Sequence, residues 1–580
     1  MGRNAVALVV QFIGLGTAGS MQSLCASAAE ELHRDYALTG RHGGTLITAQ
    51  RSEPRTFNPV TAIDTVSQDV IALMHADLIH INRRSLQTES ALAKSWDVSE
   101  DGRVYTVHLR RGIRFSDGHP MDADDVVFTF GVYLDEASGA PQRDLLIIQG
   151  KPITVRKMDA HTVRFELAAP YAAAERLFDG IPILPKRQLS KAAQEGGITR
   201  AWGTGTPPED IAGLGPFRLK AYTPGERVVL ERNPYYWKAD RDGRRLPYLD
   251  EIAFQILPNE HTQTIRFISG GLDVVSSLSG DNFLELKMRE AWAGFRVYDA
   301  GPGLEYNFLV LNLNDSAPHG GEALSVKRSW FREAAFRRAI SRAVDRHALA
   351  RLAYRGLATP IWGHVTEGNS LWANRQLARP ERSVADARSL LKAAGFSWKD
   401  GDLLDRKGNA VAFSILVSAS NRQRIKMAAL IQEDLRELGI QTSVVTLEFR
   451  TMLDRVFKRR DYDTALMAVE SGDADPNSDI NVWLSDGNMH VWNLSGRANT
   501  AWEEEIDRLM RLQMATLDPT ARRKLYDRVQ EVVARQAPVI FLVSPSVLAG
   551  ASKQLGNFSP SILRPHALWN ADSLYFHGDR

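Results

Sequence analysis

The sequence predicts an α/β protein with two main lobes, one of them discontinuous, and a hinge of two chain crossings. Three observations indicate this arrangement. The chain has 580 residues, and single hydrophobic cores stop growing near about 250–300 residues. Helices and strands alternate over 301–544, which is typical of a sheet with helices on its faces. Strand-rich stretches also lie far apart, at 43–49, at 210–300 and near the C-terminus, so we expect one lobe to be discontinuous.

The beginning of the chain has the features of a secretory signal peptide. An apolar stretch from Ala5 to Ala18 is followed by the small residues Ala26–Ala28, a pattern typical of signal cleavage. We therefore predict that residues 1–28 are a signal peptide cleaved near Ala28, and that the protein is exported. Cys25 is the only cysteine. Because Leu24 precedes it where a lipid-attachment site would have a small residue, a lipoprotein is the less favoured alternative.

Composition and motifs exclude several classes of function. The formal net charge is +2, and no block of like charges appears, so nucleic acid is not an expected partner. No nucleophile elbow, zinc-protease motif or Walker loop is present, which predicts that the protein is not an enzyme. The 14 histidines are scattered, and His75 and His80 do not share a helical face. We therefore expect no metal site and no cofactor.

The first third of the chain predicts strands and short helices. Residues 43–49 have the composition of an opening strand, and a mixed helix is expected over 66–80. The dipeptide Asp101-Gly102 lies between two alternating stretches and predicts a hairpin turn. Asp122 is placed to cap a following helix, and another alternating strand is expected over 161–167.

The stretch from 301 to 544 predicts an α/β lobe. Ser383 and Asp386 form a capping pattern for a helix. Strands are expected over 440–447, 462–469 and 539–543, with helices between them. This alternation predicts a parallel or mixed sheet covered by helices.

A series of short motifs resembles one known family, the family 5 extracellular solute-binding proteins of ABC transporters, which bind dipeptides, oligopeptides or nickel. The similarity extends over about 43–545, nearly the whole chain after the signal peptide. The matching motifs, in chain order, are Leu92–Trp96, Leu109–Gly118, Met121–Phe128, Gly215–Phe217, Glu231–Trp237, Leu246–Asp250, Arg338–Ile340, Asp345–Arg346, Leu390–Gly395, Asp434–Leu435 and Gly439–Ile440.

The resemblance implies a fold like that of the periplasmic binding proteins, class II (cluster C). By this analogy, lobe I consists of 41–66, 210–300 and 545–580. The inserted lobe is 67–209, and lobe III is 301–544.

The resemblance also implies a function. We expect the substrate-binding component of an ABC importer, which captures di- or oligopeptides in a cleft that closes between lobes I and III. It would deliver them to permease subunits at the inner membrane, acting as a periplasmic monomer. An oligosaccharide receptor and a nickel or metallophore receptor are the alternatives within the family.

The main candidate ligand site is the polar loop after the strand at 462–469. Ligands of open α/β sheets bind beyond the carboxyl ends of strands. The resemblance implies that an aspartate of an Asp-Pro pair binds the α-ammonium group of a peptide. Asp475 occupies that position, and Asp473 is its neighbour.

Six more residues are secondary candidates for ligand binding. Trp492 is the one expected to stack on a ligand, and for each residue a packing or hinge role is the alternative. They are Glu53, Arg55, Tyr306, Asn307, Trp492 and Asn493.

Overall fold

The computed structural model describes residues 30–35, 39–314 and 322–578. The predicted signal peptide and Cys25 lie outside the described residues. The described part is built from mixed sheets and helices, and the predicted α/β class is confirmed.

Lobe I is built on a four-stranded sheet whose strands come from distant parts of the sequence. Thr45–Gln50 runs parallel to Glu251–Ile256, and Arg227–Arg232 and Phe217–Thr223 follow as antiparallel neighbours. In Thr45–Gln50 buried and half-buried residues alternate, as expected for a strand with one covered face. A second sheet is formed by four strands: Val274–Val275, Phe295–Pro302, Ala358–Pro360 and Val543–Ser552. Three helices pack on the two sheets: Thr65–Met74, Glu260–Ile268 and Gly280–Arg289.

The helix expected over 66–80 is shorter than predicted. It ends at Met74, where the backbone N–H of His75 donates the last helical bond to Ile71. The chain then forms a strand, Ile79–Ile81, which pairs with Thr88–Ser90. The alternation of apolar residues at 79 and 81 belongs to this strand, and the prediction extended the helix too far.

The inserted lobe contains an antiparallel sheet of Ala93–Val98, Val104–Leu109, Thr162–Glu166 and Thr154–Asp159, in that spatial order. The predicted hairpin turn is confirmed, and Gly102 has φ +67° there, a conformation that favours glycine. The remaining elements of this lobe are helices Ala123–Leu134 and Lys186–Gln194, strands Ile147–Ile148 and Lys151–Pro152, and the 3₁₀ turns Glu136–Ser138, Pro141–Leu146, Ala174–Phe178, Ile198–Arg200 and Pro208–Asp210.

Lobe III contains a five-stranded mixed sheet covered by helices. The spatial order of its strands is Gln441–Leu447, Ala412–Ser418, Thr464–Glu470, Glu305–Leu311 and Val539–Phe541. Its helices are Glu322–Arg332, Ala334–Ala343, Arg346–Ala353, Val384–Ala393, Arg422–Arg436, Phe449–Leu453, Ile480–Trp483, Ala501–Ala515 and Pro519–Gln536, with a π-helical turn at Asp454–Arg459 and a 3₁₀ turn at Pro476–Asp479.

Two strand-to-strand crossings connect the sheets of lobes I and III, and Ala358–Pro360, which lies between them in sequence, also pairs with the lobe I sheet. One crossing connects Phe295–Pro302 with Glu305–Leu311, and the other connects Val539–Phe541 with Val543–Ser552. Each crossing is only one or two residues long, so both lobes are held by short strand-to-strand links. The remaining small elements are the strand pairs His33–Asp35 with Lys238–Asp240, Ser397–Lys399 with Asp402–Leu404, and Leu555–Gly556 with Tyr575–Phe576, and the 3₁₀ turn Ala571–Ser573.

Two large hydrophobic cores lie on either side of these crossings, and a small buried cluster bridges them: Ile81, Leu86, Leu304, Ala474 and Leu563. One core joins lobe I and the inserted lobe, with Leu46, Phe130 and Leu230 among its members. Another core lies within lobe III and includes Leu309 and Leu466. The inserted lobe therefore shares a core with lobe I, while lobe III has its own. The sequence boundaries of the predicted lobes stay a prediction.

Candidate functional site

The predicted ligand loop follows the strand Thr464–Glu470, which places it at the carboxyl end of a strand in the middle of the lobe III sheet. We call residues 470–479 the acidic loop, because Glu470, Asp473, Asp475 and Asp479 all belong to it. Each of these four carboxylates has different surroundings, and these determine what each one is able to bind.

Asp475 is buried and fully engaged by protein groups. Its two carboxylate oxygens accept bonds from the two terminal nitrogens of Arg522, both at 2.7 Å. One oxygen also accepts the backbone N–H of Asn477 at 3.0 Å, which caps the turn Pro476–Asp479. Arg522 is itself buried. Both the charge and the hydrogen-bonding capacity of Asp475 are therefore satisfied within lobe III.

Asp473 connects lobe III to the inserted lobe. Arg176 donates from Nη1 to both oxygens of Asp473 at 2.5 Å, and Arg176 Nε lies 3.8 Å from Asp475. Burial raises the pKa of Asp473, and the charge of Arg176 opposes that effect. A second bond runs alongside, from the backbone N–H of Ala172 to the carbonyl of Met514 at 2.7 Å. We call these contacts the Arg176 latch.

Asp479 is the carboxylate with the least support. Among the described residues, its side-chain hydrogen-bond partner is the hydroxyl of Ser471, which donates at 2.7 Å. Burial raises the pKa of Asp479 to about 6. A buried carboxyl without a cationic partner disfavours its charged form.

Lobe I meets the acidic loop through its C-terminal segment. Arg564 Nε lies 3.3 Å from both oxygens of Glu470, and His566 Nε2 lies 3.6 Å from one of them. Burial raises the pKa of nearby Asp69 to about 6, while the charges of Arg564 and His566 oppose the shift. Acidic and basic groups from different parts of the molecule therefore meet at the junction of the lobes.

A cavity lies beside this charged cluster. We call it the junction cavity. Polar groups line much of it, and two of its lining residues, Arg564 and His566, contact Glu470 of lobe III. Its lining includes Thr48, Gln50, Asp69, Ser276, Ser277, Arg564 and His566.

Trp492 and Asn493 lie inside lobe III, away from the junction. The Trp492 side chain is 1% exposed, and its ring contacts His490 at 4.0 Å and Trp483 at 5.6 Å between centroids. Trp492 and Asn493 both donate to Glu503 Oε1, at 3.3 and 3.1 Å. The structure brings neither side chain to the cleft, and stacking of Trp492 on a ligand would require a ring face that the core covers.

The other four candidates lie on both sides of the hinge. Asn307 is buried and accepts from Arg424 Nε at 2.9 Å, so it braces the crossing strand. Tyr306 is buried beside it. Glu53 and Arg55 are exposed in the loop after the first strand of lobe I, and Tyr222 donates to Glu53 at 2.8 Å. Their roles in ligand binding stay predictions.

Sequence reasoning missed the partners that come from distant segments. Arg176, Arg522, Arg564 and His566 were not predicted, because single basic residues carry no local signal. Only the fold shows which of the many arginines face the acidic loop.

Residues 87–490 match the family described as bacterial extracellular solute-binding proteins, family 5 Middle. The chain belongs to that family. The resemblance to this family that the sequence motifs indicated is thereby confirmed. Family 5 proteins act by binding solutes. No helix in the described part of this family 5 chain is long and apolar enough to cross a membrane.

Curated relatives cover most of the family 5 chain. A probable ABC transporter-binding protein of Deinococcus radiodurans is 28% identical over 528 residues, 87% of each chain. A probable D,D-dipeptide-binding periplasmic protein of Escherichia coli is 26% identical over 522 residues, covering 88% of this chain and 91% of the relative. A periplasmic alpha-galactoside-binding protein of Rhizobium meliloti is 32% identical over 343 residues, 56% of this chain and 49% of the relative.

A solved structure has the same fold. The ABC transporter substrate-binding protein CtaP of Listeria monocytogenes matches with a TM-score of 0.76 at 22% identity, over 93% of this chain and 100% of the other. At this identity the likeness establishes the fold, and the predicted two-lobe architecture with its inserted lobe is confirmed.

Proposed function

We propose that this protein is the solute receptor of a bacterial ABC importer, that it works in the periplasm as a monomer, and that its ligand is a di- or oligopeptide. Binding takes place between lobe I and lobe III, and the closed form delivers the ligand to permease subunits at the inner membrane. Family membership and the relative that binds D,D-dipeptides support this proposal.

The observation that carries the peptide proposal is the mixture of charges around the junction cavity. Arg564 offers a positive group, and Asp69 offers a carboxyl in the same lining. A short peptide is a zwitterion, with an ammonium group at one end and a carboxylate at the other. Such a cavity is complementary to both ends, and charge pairs shielded in a closed cleft contribute more than exposed ones.

Arg564 is the group that we expect to meet a peptide carboxylate. Its contact with Glu470 is 3.3 Å long at both oxygens, and its side chain is 43% exposed. The buried Arg522–Asp475 pair, in contrast, is bidentate at 2.7 Å. Exposed ion pairs contribute only about 0–1 kcal/mol, so Arg564 exchanges partners at little cost.

A ligand screen by thermal shift tests the proposal. Purified protein is melted with di- to hexapeptides, with oligosaccharides of the raffinose series and with a Ni²⁺–histidine complex. A ligand at a hundred times its Kd adds about 2.7 kcal/mol to the stability. We expect peptides to raise the melting temperature, and a shift with sugars alone would contradict the peptide assignment.

A variant pair tests the site. Arg564→Ala is expected to weaken peptide binding about 10-fold or more, because one charge-assisted contact is worth about 1.5–3 kcal/mol. The matched control is Arg187→Ala, since Arg187 forms an exposed ion pair with Asp117 on the inserted lobe. Isothermal titration measures both Kd values. If the two variants bind peptide with equal affinity, Arg564 does not contact the ligand.

An oligosaccharide receptor is the second candidate, and a specific observation favours it. Both oxygens of Asp475 are occupied by Arg522, so the aspartate expected to bind a peptide ammonium already has a cationic partner. The relative named as an alpha-galactoside-binding protein supports the same alternative. The screen separates the candidates, because sugars and peptides are tested on one sample.

A further inference from the structure

A second cavity lies on the other side of the C-terminal segment from the junction cavity. It lies between lobe I and the inserted lobe. Its lining includes Asp77, His80 and Arg83, together with Trp237 and Lys238. The proposed importer function does not involve this cavity, which has acidic and imidazole groups on one wall.

Three potential metal ligands meet at this wall. A carboxylate oxygen of Asp77, a carboxylate oxygen of Asp179 and a ring nitrogen of His80 all lie within 4.8 Å of one another. His80 belongs to the strand Ile79–Ile81, and Asp77 lies just before it. Asp179 ends the 3₁₀ turn Ala174–Phe178. Two separate segments of the inserted lobe therefore bring the three side chains together.

Protein contacts fix the orientation of Asp179. Its Oδ1 accepts the backbone N–H of Ile81 at 3.0 Å, and His80 Nδ1 lies 3.3 Å from the same oxygen. Arg83 Nη1 lies 3.6 Å away and supplies a positive charge. Such surrounding bonds are typical of metal sites, where they hold the ligands in place.

Unsatisfied buried atoms mark the same place. Asp77 Oδ1 is buried and has no hydrogen-bond partner among the described residues. The same holds for both ring nitrogens of His75, which is 5% exposed and lines the same cavity. The Tyr133 hydroxyl is also buried without a partner in the described chain, and the charge of Asp77 contributes to its raised pKa. Buried polar groups in proteins are nearly always paired, so unpaired ones indicate a bound ion or water.

Charge in this cluster also favours a cation. Asp77 and Asp179 supply two carboxylates, and Arg83 Nη1 supplies one positive charge 3.6 Å from Asp179. A dication would balance the remaining negative charge, because bound ions are the largest local charges in such sites.

We propose that Asp77, His80 and Asp179 bind a divalent first-row transition-metal ion of the Zn²⁺ class at the wall of this cavity. The site has two carboxylate oxygens and one imidazole nitrogen. Zn²⁺ accepts such mixed oxygen and nitrogen ligands, whereas Mg²⁺ and Ca²⁺ are bound by oxygen ligands. Three protein ligands leave a further coordination position toward the cavity.

The ion has a structural consequence for the inserted lobe. It would tie the strand that carries His80 to the turn that carries Asp179. The same turn contains Arg176, whose side chain reaches the acidic loop of lobe III. Metal binding would thus stabilise the base of the Arg176 latch.

Metal titration of the tag-free, EDTA-treated protein tests the proposal. Co²⁺ serves as the visible probe for Zn²⁺, with competition by Zn²⁺, Mg²⁺ and Ca²⁺. We expect one Co²⁺ per chain with d–d absorption, displacement by Zn²⁺, and at least 100-fold weaker competition by Mg²⁺ and Ca²⁺. Absence of Co²⁺ uptake, or equal competition by Ca²⁺, would overturn the proposal.

Two variants and a control locate the site. Asp77→Asn and His80→Ala are each expected to weaken Co²⁺ binding about 100-fold or more, since even supporting residues cost about 10–100-fold. The control is His108→Ala, because His108 pairs with a single carboxylate, Asp97, at 2.9 Å on the surface. Wild-type affinity in Asp77→Asn, whose side chain keeps the size of aspartate, would overturn the assignment even if His80→Ala fails to fold.

Discussion

At the scale of single residues, two aspartates of the acidic loop illustrate how surroundings determine the effect of a charge. Asp475 and Asp479 are both buried, and they lie four positions apart. Asp475 has a bidentate arginine partner, whereas Asp479 has a hydroxyl. The same substitution at the two positions should therefore change stability in opposite directions.

We predict that Asp475→Asn strongly destabilises lobe III. The change removes the charge that neutralises buried Arg522, and breaking a buried ion pair costs about 3–5 kcal/mol. Denaturant unfolding followed by tryptophan fluorescence measures the loss. Asp97→Asn is the control, because Asp97 is 80% exposed in its ion pair. If the loss of unfolding free energy is no larger than in the control, the buried charge of Arg522 does not require Asp475 for stability.

Asp479→Asn should instead stabilise the protein at neutral pH. The folded-state pKa of Asp479 is raised to about 6 from 3.8 by burial, so the native state binds more protons than the unfolded state between these values. Stability then falls as pH rises from about 4 to about 6. Asparagine keeps an acceptor for Ser471 and removes this penalty, which amounts to at most about 3 kcal/mol.

Unfolding free energies at pH 4 and pH 7.5 check this prediction. The advantage of Asp479→Asn over wild type should be small at pH 4 and largest at pH 7.5. An advantage that does not change with pH would mean that Asp479 has an ordinary pKa in the folded protein.

The residue scale is also where sequence reasoning reached its limit. The Asp-Pro pair located the acidic loop correctly at a strand end, because that position depends on local pattern. The partner of Asp475 lies 47 positions away in a helix, and that of Asp473 lies 297 positions away in the inserted lobe. Nothing in the local sequence distinguishes Arg522 or Arg176 from other arginines.

At the scale of elements, the Arg176 latch is one of the contacts that join the inserted lobe to lobe III. It combines the ion pair of Arg176 with Asp473 and the backbone bond from Ala172 to Met514. Since lobe I and the inserted lobe share a core, the latch acts across the same boundary as the proposed ligand-induced closure. We therefore expect it to hold the two lobes together without a ligand.

We predict that Arg176→Gln shifts the ligand-free protein toward an open form. The apparent affinity for the ligand is the intrinsic affinity multiplied by the fraction of protein in the closed form. The affinity of this variant should therefore fall by the same factor as its closed fraction. Small-angle scattering measures the radius of gyration without ligand, and titration measures the Kd. Lys157→Gln is the control, since Lys157 pairs with Asp124 inside the inserted lobe. An unchanged radius would show that the latch does not maintain closure.

Elements themselves were predicted well wherever caps and periodicity agreed. Ser383 and Asp122 each accept a backbone N–H at the start of a helix, as their positions in the sequence indicate. Trp492 is a residue whose environment the local pattern did not indicate. Its ring packs on His490 and Trp483, and its indole N–H donates to Glu503, so the side chain lies in the core of lobe III.

At the scale of the whole molecule, the distribution of cores determines which parts move together. The core shared by lobe I and the inserted lobe contains residues from Leu46 to Phe576, whereas the core of lobe III is confined to residues from Tyr306 to Val543. Packed cores resist deformation, while short links absorb rotation. We therefore expect one moving boundary, at the two strand crossings.

Distances between labelled cysteines test this expectation in full. Cys25, the only cysteine, lies in the predicted signal peptide, so cysteine pairs are introduced into the mature protein at exposed positions of each lobe. The first pair, Met288→Cys with Arg436→Cys, spans lobes I and III. The second pair, Met158→Cys with Met288→Cys, spans the inserted lobe and lobe I. All three native side chains are exposed. Single-molecule energy transfer should show a ligand-dependent change for the first pair and a constant distance for the second. Because a rigid unit is defined by its shared core, a ligand-dependent change in the second pair would mean that the inserted lobe moves by itself and that the division at the crossings is incorrect.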